Sequence, residues 1–128
     1  MSTTDQARLS QLRREAFALL RKSKSLVREL ARPSAMIAGS FYEMHKKCGR
    51  RGCRCAKGEL HGPFPVIALR RGGRRSTRSV PRDRVVEVCK RANAYRTFQS
   101  RRRRLQGAMR RIVEIVTEIR DAHLGHFP

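Results

Sequence analysis

Three cysteines and one histidine lie in a short, glycine-rich stretch in the middle of this chain, with the spacing C-x4-C-x-C-x5-H. Thiolate sulfur and imidazole nitrogen are the donors that hold Zn²⁺ in closed, four-coordinate structural sites. The intervening glycines give the backbone the freedom to turn around an ion. The stretch therefore predicts a zinc knuckle whose metal ligands are Cys48, Cys53, Cys55 and His61.

The fourth ligand is the least constrained part of this prediction. His61 has the favoured spacing and directly precedes Gly62 and Pro63, whereas His45 and Cys89 are the alternatives. Cys89 falls on the apolar side of a predicted helix, which is more typical of a core residue.

Other cysteine chemistry stays open but fits this pattern less well. Iron–sulfur clusters are typically held by four thiolates, and redox-active pairs follow the spacing C-x-x-C. A catalytic zinc needs an open position and a nearby acid or base, and Glu59 is the only carboxylate between the ligands. The sequence therefore predicts a structural ion and no enzyme.

The chain carries a large excess of positive charge. Lysine and arginine number 31 against 10 acidic residues, so the net charge is +21. Such an excess repels itself and indicates a polyanionic partner, for which DNA, RNA and an anionic membrane surface are the candidates. Aromatic residues make up only 5% of the chain, which disfavours base stacking by a single-strand or RNA binder. Double-stranded DNA is therefore the predicted partner.

Three basic clusters are the candidate nucleic-acid-binding residues. The knuckle cluster comprises Lys46, Lys47, Arg50, Arg51, Arg54 and Lys57. The hairpin cluster comprises Arg70, Arg71, Arg74, Arg75 and Arg78. The helix cluster comprises Arg101, Arg102, Arg103 and Arg104. Arginines on a two-stranded ribbon can read guanine edges in the major groove, whereas consecutive arginines on a helix point in all directions and suit phosphate contacts.

The sequence gives no sign of a membrane partner or of export. No apolar stretch approaches the length of a membrane span, and no apolar signal segment follows Met1. Without an export signal, closely spaced cysteines favour metal ligation over disulfides. We therefore expect a cytoplasmic location.

The N-terminal segment predicts one long helix over residues 5–31. Thr3, Thr4 or Asp5 is expected to cap it, and Pro33 is expected to end it. Apolar positions recur at alternating spacings of three and four, as in a coiled-coil seam. The residues of this seam are Leu9, Leu12, Ala16, Leu19, Ser23, Leu26 and Leu30.

The middle segment predicts a small antiparallel sheet. Strands are expected over residues 40–47, 63–70 and 74–80. Gly72 and Gly73 form a two-residue hairpin signal, because glycine adopts the positive φ that such turns need.

The C-terminal segment predicts a second helix over residues 81–122. Its arginine run and Gly107 predict a kink or break within it. The predicted seam of this helix comprises Leu105, Met109, Ile112, Val116 and Ile119.

Together these segments predict an α+β fold in which two long helices, antiparallel or packed as a coiled coil, flank a zinc-stapled β-hairpin. The predicted parts are an N-terminal helix (1–33), the knuckle with its hairpin (40–81), a C-terminal helical segment (82–122) and a tail (123–128). The seams can pair within the chain or between subunits. The greater length of the second helix favours a homo-oligomer held together through the leucine seams.

Residues 39–98 resemble an uncharacterised prokaryotic domain family. The family pattern runs from a Gly-Ser strand through Cys-Gly-x-x-Gly-Cys-x-Cys-Ala, Gly-Glu and His-Gly-Pro to a hairpin closed by Val-Pro. The corresponding pieces are Gly39-Ser40, Cys48 to Ala56, Gly58-Glu59, His61-Gly62-Pro63 and Val80-Pro81. The resemblance implies a link to mobile elements and to their transposition or recombination machinery.

These features predict non-catalytic binding of double-stranded DNA by an accessory subunit that works beside a transposase or recombinase. Two alternatives belong to other classes. One is a basic, zinc-containing protein associated with RNA or the ribosome, and the other is a helical scaffold subunit of a larger nucleic-acid enzyme.

Overall fold

The protein has an α+β fold. The computed structural model describes the backbone of residues 1–128 and every side chain except that of Ala56. Two long helices flank a small antiparallel sheet along the chain, which confirms the predicted fold class. The elements are α1 (Thr3–Leu30), β1 (Gly39–Lys46), β2 (His61–Arg71), β3 (Arg74–Ser79) and α2 (Val85–His123), with short 3₁₀ turns at Arg54–Lys57 and Arg82–Arg84.

The chain forms two compact units. The helical unit comprises residues 1–33 and 98–128, and the sheet unit comprises residues 34–97. Neither α1 nor α2 combines the length and the apolar content that crossing a lipid bilayer requires.

A capping box begins α1 at Ser2, one residue before the positions that the sequence predicts. The Ser2 hydroxyl accepts a hydrogen bond from the Asp5 backbone N–H at 3.1 Å, and the Asp5 carboxylate accepts one from the Ser2 N–H at 3.1 Å. This exchange satisfies two backbone donors that would otherwise lack partners. The hydrogen bond from the Ser2 hydroxyl also lowers the pKa of Asp5.

The seam of α1 packs against α2 within the chain. Leu9, Leu12 and Ile115 form the buried cluster of the helical unit. Three ion pairs join the two helices, and their residue numbers rise along α1 as they fall along α2, so the helices are antiparallel. These pairs are Arg8–Glu118, Glu15–Arg111 and Glu29–Arg101.

The strongest of these contacts is bidentate. Arg111 donates from Nε and Nη2 to the two carboxylate oxygens of Glu15, at 2.8 and 3.1 Å. The guanidinium lowers the pKa of Glu15, and the carboxylate in turn raises the pKa of Arg111. A bidentate pair of planar groups attracts the two helices to each other and also fixes their register.

The predicted seam of α2 is wrong at two positions. Met109 and Val116 are 56% and 52% exposed, whereas Ala108 and Ile115 are buried. The residues Leu105, Ile112 and Ile119 can be combined with either of two neighbouring rows of α2 to form a seam. The sequence-based prediction used the row with the larger side chains. The buried row instead contains the small side chain of Ala108 and that of Ile115.

The predicted break in α2 is absent, because one helix runs from Val85 to His123. A glycine inside a helix costs only about 1 kcal/mol, and arginine is a good helix former. Gly107 and the arginine run are therefore tolerated within it.

Replacing Ile115, which is fully buried, with alanine is expected to destabilise the helical unit by about 3 to 5 kcal/mol, because the cavity adds to the lost transfer free energy. Urea denaturation followed by helical circular dichroism measures this loss. The control Leu124→Ala removes an exposed side chain of the same unit and should change the stability by less than about 0.5 kcal/mol. Equal losses in the two variants would contradict the assignment of the seam.

The sheet unit is built around its central strand. β2 pairs antiparallel with β1 on one side and with β3 on the other. Gly72 and Gly73 form the turn between β2 and β3 with φ of 56° and 78°, as the hairpin signal predicts. Ile67, Val80 and Ala92 form the core where the sheet meets the first turns of α2.

Candidate metal centre

The four predicted ligands converge at one end of the β1–β2 pair. Cys48 follows β1, Cys53 and Cys55 lie at the 3₁₀ turn, and His61 is the first residue of β2. Their ligand atoms all lie within 4.8 Å of one another. The two strands thus bring together side chains from both ends of the knuckle.

The distances between the donor atoms match a tetrahedral site after small movements. The sulfurs of Cys48 and Cys55 are 3.5 Å apart, and the Cys53 sulfur lies 3.0 Å from His61 Nε2. A tetrahedral ion with metal–sulfur bonds of about 2.3 Å separates two sulfurs by about 3.8 Å and a sulfur from a nitrogen by about 3.5 Å. These two pairs therefore need to open by roughly half an ångström at most, and donor atoms as far apart as 4.8 Å need to close by about 1 Å.

Backbone N–H groups point at two of the sulfurs. The Cys48 N–H donates to the Cys55 sulfur at 3.4 Å, and the Arg50 N–H donates to the Cys48 sulfur at 3.5 Å. Donors of this kind favour thiolates and orient metal ligands. Sequence reasoning did not predict them, since they arise from the path of the backbone and no side-chain signal marks them.

The two hydrogen-bonded thiols differ in acidity. The Cys48 N–H lowers the pKa of Cys55 below its ordinary value. The Arg50 N–H also lowers the pKa of Cys48, but the hydrogen bond with Cys55, burial and the neighbouring Cys53 together raise it above the ordinary value. A metal ion would remove this competition, because its positive charge stabilises every thiolate bound to it.

Gly62 allows the chain to place His61 against β1. Its φ is 140°, and a Cβ at this position would lie 2.8 Å from the Met44 carbonyl oxygen and 3.2 Å from the Cα of His45. Only glycine fits such an approach without strain. The register between β1 and β2 also shifts next to it, so that Lys46 lies opposite His61.

The structure distinguishes between the candidates for the fourth ligand. Among the side chains that the structure describes, Cys48, Cys53, Cys55 and His61 are the only histidine, cysteine or acidic group spaced to hold a metal. His45 is exposed on β1, and Cys89 lies in α2, where the Asn93 amide donates to its sulfur at 3.7 Å. The four predicted residues are thus positioned to bind a metal ion.

The arginines at the tip of the β2–β3 hairpin face one another. Arg70 lies opposite Arg75, and Arg71 lies opposite Arg74. Like charges directly opposite each other in an antiparallel pair are destabilising. In the described part of the chain none of these four guanidiniums has an acidic partner, and all four are exposed.

The hairpin presents arginines on both of its faces. Residues opposite each other across two strands share a face, and successive residues alternate between faces. Arg71, Arg74 and Arg78 therefore lie on the face of Ile67, while Arg70 and Arg75 lie on the other. The hairpin cluster is a two-sided basic ribbon.

In each of the other two basic clusters, the knuckle cluster and the helix cluster, one side chain already contacts another residue of the chain. Lys46 lies over the Phe64 ring, with its Nζ 5.2 Å from the centroid, a contact that only the β1–β2 register reveals. Arg101 forms an ion pair with Glu29 at 3.0 Å, which leaves Arg102, Arg103 and Arg104 exposed on α2. The remaining members of the knuckle cluster are exposed, namely Lys47, Arg50, Arg51, Arg54 and Lys57.

Comparison with known protein families identifies a match for this chain. Residues 18–91, more than half of the chain, match the model of a family described as a domain of unknown function (DUF6788). The matched range includes all four candidate ligands and the whole hairpin. No curated protein and no solved structure matches the chain.

Proposed function

The chain belongs to the DUF6788 family, and we propose that it is a non-catalytic, zinc-containing protein that binds double-stranded DNA. The observation that carries this proposal is the two pairs of opposed arginines at the hairpin tip. Like charges that lie opposite each other destabilise the folded hairpin. A bound polyanion relieves this repulsion because it neutralises the arginines. A phosphate backbone is the polyanion that such a ribbon fits.

The donor set supports zinc as the bound metal. Three thiolates and one imidazole form a closed Cys₃His set, and such sets are typical of structural zinc. Four ligands from the chain leave no open position for a substrate, so we assign the ion a structural role. Thiolates of this kind persist in a reducing compartment, and we therefore place the protein in the cytoplasm.

The distribution of charge supports the sheet unit as the binding part. Residues 34–97 contain 16 lysines and arginines against 4 acidic residues. A two-stranded ribbon can enter the major groove of B-form DNA, whereas the major groove of A-form RNA is too deep and narrow for side chains to read. The shape of the hairpin therefore favours duplex DNA over RNA.

The motif resemblance supports a biological setting. Because that pattern points to mobile elements, we propose that the protein is an accessory subunit of a transposition or site-specific recombination complex. Its contribution would be to hold DNA, while a transposase or recombinase supplies the chemistry.

The proposal is tested by fluorescence anisotropy with a short labelled DNA duplex over a series of salt concentrations. If the five arginines of the hairpin cluster each contact a phosphate, the logarithm of the association constant should fall with the logarithm of the salt concentration with a slope of about −4.5. An RNA duplex of equal length serves as the competitor. Tighter binding to RNA at equal salt would favour an RNA-associated function, and a flat salt dependence would contradict polyanion binding.

A further inference from the structure

The helical unit exposes a contiguous set of large apolar side chains, which we call the outer apolar face. Each of its six side chains is between 49% and 61% exposed. The members are Phe17, Leu20 and Val27 on α1, and Met109, Val113 and Val116 on α2.

The helical repeat places all six on one side of the antiparallel pair. The ion-paired residues Glu15 and Arg111 directly precede Ala16, which packs against the core cluster, and Ile112, which is half-buried, so they mark one flank of the seam. Leu20 and Met109 each directly follow a seam residue and therefore lie on the opposite flank. Phe17, Val27, Val113 and Val116 continue this flank at spacings of three, four or seven.

The spacing of these six residues along α1 and α2 resembles that of a second coiled-coil seam. A helix with one apolar row packs against one neighbour, whereas a helix with two adjacent rows packs against two, as in a four-helix bundle. The first row of each helix is already filled by the other helix of the hairpin. The second row has no partner within the described chain.

The exposed area is large enough for an interface. Six side chains that each leave roughly 100 Å² in solvent amount to about 600 Å², which is the upper end for the largest patch on a monomeric protein. A standard interface buries about 800 Å² per partner. The apolar face with its polar rim reaches that size.

We propose that the outer apolar face joins two copies of this chain, whose helical hairpins pack face to face about a two-fold axis as a four-helix bundle. A two-fold contact uses the same patch on both copies, and two antiparallel helices with equivalent apolar rows present such a patch. This inference is independent of the proposed DNA binding.

The rim of the face gives the dimer an unusual dependence on salt. Arg13, Lys24 and Arg102 lie in the same helical rows as the apolar side chains, and in a dimer their charges approach one another. Salt screens such repulsion, so salt should tighten the dimer. Binding to DNA should weaken with salt, so the failure of either proposal can be recognised separately.

Sedimentation equilibrium of the full chain at micromolar concentration, in low and in high salt, tests the proposal. We expect a mass of twice 14.7 kDa in high salt. Leu20→Glu and Val113→Glu should each raise the dissociation constant at least 100-fold, since each buries an unpaired charge at the contact. Circular dichroism should show unchanged helix content, because both sites are more than half exposed in the monomer.

Ala18→Glu is the matched control, because Ala18 is exposed on α1 outside the outer apolar face. This variant should dimerise as the native chain does. A native chain that stays monomeric in high salt would overturn the proposal, and so would variants that dimerise unchanged. Monomers that bind anionic lipid vesicles, and lose this binding in Leu20→Glu, would also overturn it and would assign the face to a membrane surface.

Discussion

Removal of the metal by a strong chelator is expected to unfold the segment between β1 and β2. Of the side chains described in residues 47–60, only that of Cys55 is buried, so no apolar core holds this segment once the ion is gone. Metal binding in sites of this kind contributes on the order of 10 kcal/mol or more to folding, which is comparable to the total stability of a domain. Hydrogen exchange followed by mass spectrometry should show loss of protection across these residues.

A cysteine variant tests the effect of metal loss on this segment without a chelator. Cys55→Ser removes the buried candidate ligand and should reproduce the loss of protection. Under the proposed zinc binding, elemental analysis should show that zinc falls from one ion per chain to almost none. Cys89→Ser is the matched control, because Cys89 lies outside the cluster, and it should retain the full zinc content. Unchanged exchange in metal-free protein would contradict a structural role for the ion.

Replacement of Arg70, Arg71, Arg74 and Arg75 by glutamine is expected to abolish most of the affinity for duplex DNA. Loss of four phosphate contacts should reduce the salt slope by about 3.6 and weaken binding roughly 10³-fold near 0.1 M salt. The same variant relieves two like-charge pairs across the hairpin. Its melting temperature should therefore equal or exceed that of the native chain, which separates a binding defect from unfolding.

A charge-matched variant isolates the contribution of the hairpin. Replacing four exposed cations of α1 by glutamine removes the same net charge, and binding should weaken much less. These cations are Arg14, Arg21, Lys22 and Arg28. If both variants lose affinity equally, the contact with DNA is spread over the whole basic surface and the hairpin has no special part in it.

Short-range features of this fold were predictable because their causes lie close together in the chain. The four candidate ligands fall within one turn-rich stretch, and a glycine pair marks the hairpin. Cys48 and His61 are therefore positioned to bind a metal ion, and Gly72 forms the turn, as the sequence predicts. The capping residue was missed by one position, because several neighbouring polar residues can act as helix caps.

Long-range features were not predictable in the same way. Periodicity placed Leu105, Ile112 and Ile119 on one row of α2, but it could not decide which neighbouring row faces α1. The buried row is that of Ala108 and Ile115, and the choice depends on contacts with a helix that is distant in sequence. The pairing of Arg101 with Glu29 has the same origin, since it depends on the register between segments that are distant in sequence.

β2 carries a candidate metal ligand at its first residue and two arginines at its last two residues. The strand has 11 residues, so His61 and Arg71 stand about 30 Å apart. The candidate metal centre and the basic tip of the hairpin thus lie at opposite ends of one strand. Under the proposed function, substitutions at the tip therefore change the contacts with DNA and leave the residues that bind the metal unaltered.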